Sequence, residues 1–295
     1  MPELSLPEVM PTETLIIMLV GLLVSTFGTV VGFGGGVFMV PILILFFHFP
    51  IELAIGSTMS AMFPASLIAT FFNYREKNID YLVASLVQFP AMAGTVAGAF
   101  LVVFLPVVEL QFIFAFFVII ISFLILGAPK DKPVVNRKSG VMYRVTHLPT
   151  SFIRKNHHKH LAYRINGGVV ALFGLVTGTV AGLFGIGGGF LQTPAMIKVF
   201  NMPARIATST SLFILTVTSF TGLCTHFWLG HVDWLKSVPL MTAFAIGAAL
   251  GQYFKRDDVN LPAIDLLIGI GLFLAGMALI INIIIKAGVL FNFTF

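Results

Sequence analysis

The same glycine triplet occurs twice in this chain, each time five residues before a proline: Gly34-Gly35-Gly36 before Pro41, and Gly187-Gly188-Gly189 before Pro194. A further glycine, Gly32 or Gly185, leads each copy, so the copies are 153 positions apart (185 minus 32). The offset holds without a gap well beyond the motif. It sets Gly21 on Gly174, Thr26 on Thr179, Pro50 on Pro203, Ser66 on Ser219, Asp80 on Asp233, and Gly94 and Gly98 on Gly247 and Gly251. A chain built twice from one unit, with a glycine break in each, points to a transporter whose site lies between the halves.

The units are too apolar for a water-soluble core. Hydrophobic residues make up 58% of the 295, charged residues 10%, and mean hydropathy is +1.01. A soluble domain carries about 25% charged residues. Apolar runs cover about 15–33, 53–73, 80–104, 109–127, 165–184, 205–228, 236–254 and 261–286. Each is near or above the ~20 residues that cross a bilayer as a helix. Two shorter runs, 37–49 and 190–202, follow the glycines. At about 1.5 Å per residue each reaches only ~20 Å of the ~30 Å core. The expected fold is an all-α integral membrane protein. It has two inverted-topology repeats, eight long transmembrane helices and two short glycine-broken helices. Pro41 and Pro194 are placed in the first turn of the short helices, where a missing N–H does no harm. Residues 1–127 form the first membrane repeat, 128–164 a basic linker, and 165–295 the second repeat.

Charge sets the expected orientation. The linker holds nine of the 17 basic residues (Lys130, Lys132, Arg137, Lys138, Arg144, Arg154, Lys155, Lys159 and Arg164) against Asp131 alone. That places it in the cytoplasm. With five crossings per half, both termini lie outside, and only Lys236 and Lys286 of the basic residues fall outside with them. If the short helices do not cross, the other basic residues no longer share one side. Five is odd, so the halves are inverted with respect to one another. The N-terminal segment carries Glu3, Glu8 and Glu13 but no Lys or Arg, so it is not read as a signal peptide. Cys224 is read as a small core residue.

A helix start carries partial positive charge and free N–H donors. Glycines let a ligand approach that backbone and form an anion-binding nest. The candidate binding residues are therefore Gly34, Gly35, Gly36, Val37, Gly187, Gly188, Gly189 and Phe190. Hydroxyls at Ser57, Thr58, Thr210 and Ser211 join them, although helical Ser and Thr also bond their own i−4 carbonyls. Gln192 and Thr193 have only apolar counterparts in the first copy (Met39 and Val40), so the second half supplies more polar contacts. His48, Asn73 and His226 are candidates for gating or proton handling. The pairs Asp80/Asp233 and Asn73/His226 also read as helix caps or interface groups. The pairs Gly94/Gly98 and Gly247/Gly251 read as close helix packing and are expected to tolerate alanine better than the triplets. His157, His158 and His160, beside basic residues in the linker, read as solvated rather than as a metal site.

These residues resemble the TauE/SafE family of membrane permeases. The likeness rests on GFGGGVFMVPIL at 32–43 and GLFGIGGGFLQTPAMI at 182–197, with AIGSTMSAMF and ATSTSLFILT in support. It spans essentially the whole chain. The resemblance implies transport of sulfite, sulfonates or related small organic anions.

Every carboxylate in or beside an apolar run sits near a predicted helix end (Glu52, Glu76, Asp80, Glu109, Asp233, Asp265). Proton or sodium coupling usually employs intramembrane acids. The membrane potential alone drives an anion outward, which favours export by alternating access. The alternatives are an anion channel with a fixed pore, and an uptake permease for sulfonates or carboxylates coupled to protons. No nucleophile–base or metal-ligand spacing is present, so the chain is not read as an enzyme. No cofactor is expected. The partners are a small anionic substrate and the lipid bilayer, with no nucleic acid and with a homo-oligomer left open. The expected location is the plasma membrane, as a multi-pass protein.

Overall fold

The computed structural model describes residues 11–126, 151–156, 161–200, 202–254 and 261–292. Among the described residues ten helices follow the apolar runs: α1 (Pro11–Val31), α2 (Gly36–Phe46), α3 (Ile51–Arg75), α4 (Tyr81–Phe104), α5 (Val107–Leu126), α6 (Gly167–Phe184), α7 (Gly189–Lys198), α8 (Ala204–Trp228), α9 (Trp234–Phe254) and α10 (Leu261–Asn292). Eight of them contain spans long and apolar enough to cross a membrane, and α2 is a shorter apolar helix. The protein is a multi-pass membrane protein. Two short strands, β1 (Ser151–Asn156) and β2 (Leu161–Asn166), pair antiparallel in the basic linker. The described part of that linker is therefore a hairpin. Asn166 ends it and caps α6, its Oδ1 accepting from Val169 N at 3.0 Å.

Burial sorts the helices. About two thirds to three quarters of the α3 and α8 spans are buried, against less than half of every other span. Hence α3 and α8 form the centre and the other six long spans face lipid with their apolar sides. The central pair is stitched by hydroxyls, which bond across helices where lipid offers no partner. Ser66 and Ser219, equivalent under the 153-residue offset, meet at 3.4 Å. Thr70 meets Thr216 at 2.8 Å, and Ser209 donates to Asn73 at 2.6 Å. Numbers rise on one helix as they fall on the other, so α3 and α8 run antiparallel.

The outer pairs run parallel. Ser25 of α1 donates to the Phe244 carbonyl of α9, and a methyl on Gly251 would lie 2.6 Å from the Thr26 carbonyl oxygen. The offset equivalents do the same: α4 lies along α6, with Gly174 on the Val87 carbonyl, Gly178 on that of Ala91 and Gly182 on that of Thr95. Gly94 and Gly98 sit on the Leu175 and Thr179 carbonyls from the other side of this seam. These glycines let the two backbones touch, as their packing reading requires. α9 also runs parallel to α3, through Ser237 on Ser57 at 3.0 Å and Gln252 beside Asn73 at 3.4 Å. Since α1 and α3 both run with α9, α2 carries the chain back between them.

Two details differ from expectation. Pro41 and Pro194 are each the sixth residue of their helices, in the second turn. The helices begin at the glycines themselves, because Gly35 (φ 85°) and Gly188 (φ 75°) take the left-handed conformation and act as N-caps. Cys224 is exposed on α8. Lipid-facing positions are as apolar as core ones, so its chemistry did not distinguish them.

Candidate functional site

Both glycine segments bend through left-handed residues at equivalent places: Gly32, Gly34 and Gly35 in one, Gly185, Gly187 and Gly188 in the other. The fold brings them side by side. A methyl on Gly36 would lie 3.1 Å from the Gly185 carbonyl oxygen, and one on Gly189 would lie 3.4 Å from the Phe33 Cα. Phe33 and Phe190 stack edge to face at 5.2 Å, and Thr193 donates to the Gly32 carbonyl at 3.0 Å. Met62 and Leu215, again 153 residues apart, press on both Gly34 and Gly187 from α3 and α8. All of this is buried.

Backbone donors at the two starts are partly committed. Gly32, Phe33 and Gly34 all donate to the Gly28 carbonyl at 2.9–3.0 Å, so the Gly34 N–H is spent inside the turn. The Gly35 carbonyl accepts from Phe38 and Met39, and the Gly188 carbonyl from Leu191 and Gln192. No acceptor faces the N–H groups of Gly36, Val37, Gly189 or Phe190 among the described residues. First-turn donors of this kind are what an anion would use.

The hydroxyl candidates divide. Ser211 donates to the Gly189 carbonyl at 3.3 Å, at the second triplet. Thr58, its offset equivalent, is fully buried and its hydroxyl has no partner among the described residues. Ser57 and Thr210 go elsewhere: Ser57 to Ser237, and Thr210 to the Asp80 N–H at 3.0 Å. Sequence reasoning missed Thr218, which donates to the Gly187 carbonyl at 3.2 Å, and the Met62/Leu215 pair. Their positions along α3 and α8 were readable; the fact that they face the triplets was not.

Asn73 and His226 lie at opposite ends of the α3/α8 pair, because those helices are antiparallel. Asn73 donates to the Ala69 carbonyl and accepts from Ser209. His226 is fully buried; its Nε2 lies 2.9 Å from the Gly182 carbonyl and its Nδ1 lies 3.1 Å from Nδ1 of His231. A carbonyl can only accept, so His226 Nε2 carries a proton, and in the neutral ring Nδ1 is then the acceptor toward His231. Partial burial holds His231, in the loop after α8, below the usual histidine range, with the Glu52 charge opposing that shift. His48 is exposed in the turn after α2, with φ 53°. Asp80 and Asp233 act as caps, accepting from the N–H groups of Leu82 and Val83 and of Leu235. Gln192 donates through Nε2 to Thr177 at 3.3 Å. His157, His158 and His160 lie outside the described residues.

The model of the family described as "Sulfite exporter TauE/SafE" matches residues 17–279, which take in both glycine segments, eight of the ten described helices whole and the greater part of α1 and α10. The chain belongs to the TauE/SafE family. Three relatives match it over most of its length. The probable membrane transporter protein YunE of Bacillus subtilis is 29% identical over 272 residues, 90% of this chain and 96% of its own. YdhB of the same organism is 27% identical over 246 residues, 81% of this chain and 90% of its own. The probable membrane transporter protein MJ0441 of Methanocaldococcus jannaschii is 22% identical over 279 residues, covering 88% and 94%. No solved structure matches the chain. As a member of this family it is a membrane transporter.

Proposed function

We propose that this TauE/SafE protein exports a small sulfur oxyanion, sulfite or an organosulfonate, by alternating access of one half against the other. The observation that carries the reading is the pairing of two glycine-capped helix starts, one from each half, with uncommitted first-turn N–H groups on both. Such donors favour an anion without a fixed counter-charge, which leaves binding weak enough for release. The family's name supplies the sulfite. The antiparallel crossing of α3 on α8, through the offset-equivalent Ser66 and Ser219, supports inverted repeats. The carboxylates Glu52 and Glu109 lie in first turns of their helices and Glu76 at a helix end, which supports transport without an intramembrane acid.

In proteoliposomes, efflux of labelled sulfite is expected to speed up in graded fashion as the interior is made negative. The potential contributes about 2.3 kcal/mol per charge per 100 mV. Efflux should need no proton or sodium gradient and should saturate with concentration, whereas a fixed pore would not saturate. Arrest of transport when the proton gradient is collapsed at constant voltage would reject uncoupled export and make the His226–His231 pair the coupling candidate.

The same reading places the linker in the cytoplasm and both termini outside the plasma membrane. Cys224 is exposed and is removed first, as Cys224→Ser. Cysteines introduced as Ser5→Cys and Phe293→Cys should then react with an impermeant maleimide from outside, and Val145→Cys only after the cells are opened. Labelling of position 5 from the cytoplasmic side alone would overturn the orientation.

A further inference from the structure

We propose that Gln88, Thr177 and Gln192 form a polar subsite, built in one half of the molecule only, that selects oxyanions carrying a hydrogen-bond donor of their own. The inference rests on the oxyanion reading above and refines it. Under the 153-residue offset these three positions correspond to Met241, Val24 and Met39. All three equivalents are apolar and pack into one hydrophobic cluster. Three positions on three helices (α4, α6 and α7) have therefore changed character together, which independent packing positions have no reason to do.

The polar set is buried and incompletely bonded. Gln88 is 6% exposed, Thr177 1% and Gln192 0%. Thr177 spends its proton on the carbonyls of Phe173 and Gly174, at 2.9 and 3.2 Å. Its oxygen can therefore only accept from Gln192, which fixes the Gln192 amide with Nε2 toward Thr177. The Oε1 of Gln192 is left with no donor among the described residues, and both amide atoms of Gln88 are likewise unpartnered. Buried polar atoms are almost always bonded, so the orphan Oε1 of Gln192 beside a helix start points to a ligand.

The group adjoins the second glycine start. A methyl on Gly188 would lie 3.2 Å from Gln192 Nε2 and 3.3 Å from the Thr177 carbonyl oxygen. Val24 stands against Gly35 in the same way. Gln88 follows Val87 and precedes Ala91 on α4, whose carbonyls abut Gly174 and Gly178, and Thr177 lies between those two glycines on α6. A ligand at the start of α7 thus meets donors (the N–H groups of Gly189 and Phe190) and also the Gln192 amide oxygen, which can only accept; the second orphan amide, Gln88, lies on the stretch of α4 packed against the turn of α6 that holds Thr177. An anion made of acceptors alone satisfies the donors and strands the Gln192 oxygen. An anion with a hydroxyl, ammonium or acidic O–H satisfies both.

The test uses two sulfonates of nearly equal size, 2-hydroxyethanesulfonate and propane-1-sulfonate, on purified full-length protein. Binding is read by thermal shift in detergent and transport by efflux from proteoliposomes. Wild type should prefer the hydroxylated anion by about tenfold or more, the scale of one to two buried hydrogen bonds. The variant Gln88→Met with Thr177→Val and Gln192→Met copies the apolar set the protein already accommodates in its other half. It should melt no lower than wild type, and its preference should fall to about one, a loss of one decade. If the triple variant does not fold, Gln192→Met alone should lower the preference in the same direction. Equal handling of the two sulfonates by wild type, or an unchanged preference in the variants, would overturn the subsite and leave its polar atoms to bound water. Failure of wild type to bind or move any sulfur oxyanion would instead reject the substrate reading and this inference with it.

Discussion

Gly188→Ala is expected to cut transport about tenfold or more while leaving folded protein in the membrane, a rise of about 1.4 kcal/mol or more in the rate-limiting barrier. Gly188 caps α7 in the left-handed conformation, which costs a residue with a Cβ about 1–2 kcal/mol. A single methyl fits only tightly: its neighbours would be Gln192 Nε2 at 3.2 Å, the Thr177 carbonyl oxygen at 3.3 Å and Ala181 Cβ at 3.5 Å, so the first two must give by a few tenths of an ångström. The methyl would stand beside the first-turn donors that the anion is proposed to use. Gly35→Val is a harsher change, since its side chain would meet the Val24 carbonyl at 2.8 Å on a φ of 85°, and it should lower both folding and transport. Efflux per folded molecule, normalised by size-exclusion of the detergent-extracted protein, separates the two effects. Normal efflux by Gly188→Ala would remove the second helix start from the site.

Gly178→Leu and Gly98→Leu are expected to abolish folded protein outright, with destabilisation of about 3 kcal/mol or more. Gly178 lies on the Ala91 carbonyl and Gly98 on the Thr179 carbonyl, so a side chain at either would drive α4 and α6 apart along their whole contact. The obstacle is backbone, which cannot swing aside like the end of a long side chain. Even Gly94→Ala, expected from the sequence to be milder than changes in the triplets, would overlap the Leu175 carbonyl. Gly167→Ala has nothing within 4 Å and serves as the neutral control. The measurement is the monodisperse fraction after extraction and its melting temperature. Wild-type yield from Gly178→Leu would mean that the α4/α6 seam does not hold the halves together.

The sequence by itself determined the class of fold and the family. A bilayer demands long unbroken apolar segments, so the spans were readable as runs. A left-handed N-cap demands glycine, so the doubled triplet marked the two short helix starts before any coordinates. The 153-residue offset named the equivalent pairs, including Ser66 with Ser219 and the polar Gln192 with the apolar Met39. Tertiary structure alone decided which of these residues meet. Ser57 and Thr210, read as site hydroxyls, serve the α9 and α4 contacts, while Thr218 and the Met62/Leu215 pair press on the triplets. It also decided that Cys224 faces outward, that the prolines sit one turn deeper in their helices, and that His226 pairs with His231. In water, hydrophobic periodicity tells a helix's inner face from its outer one. In lipid both faces are apolar, so that signal vanishes, and only the packing of helices far apart in the chain chooses the face that turns inward.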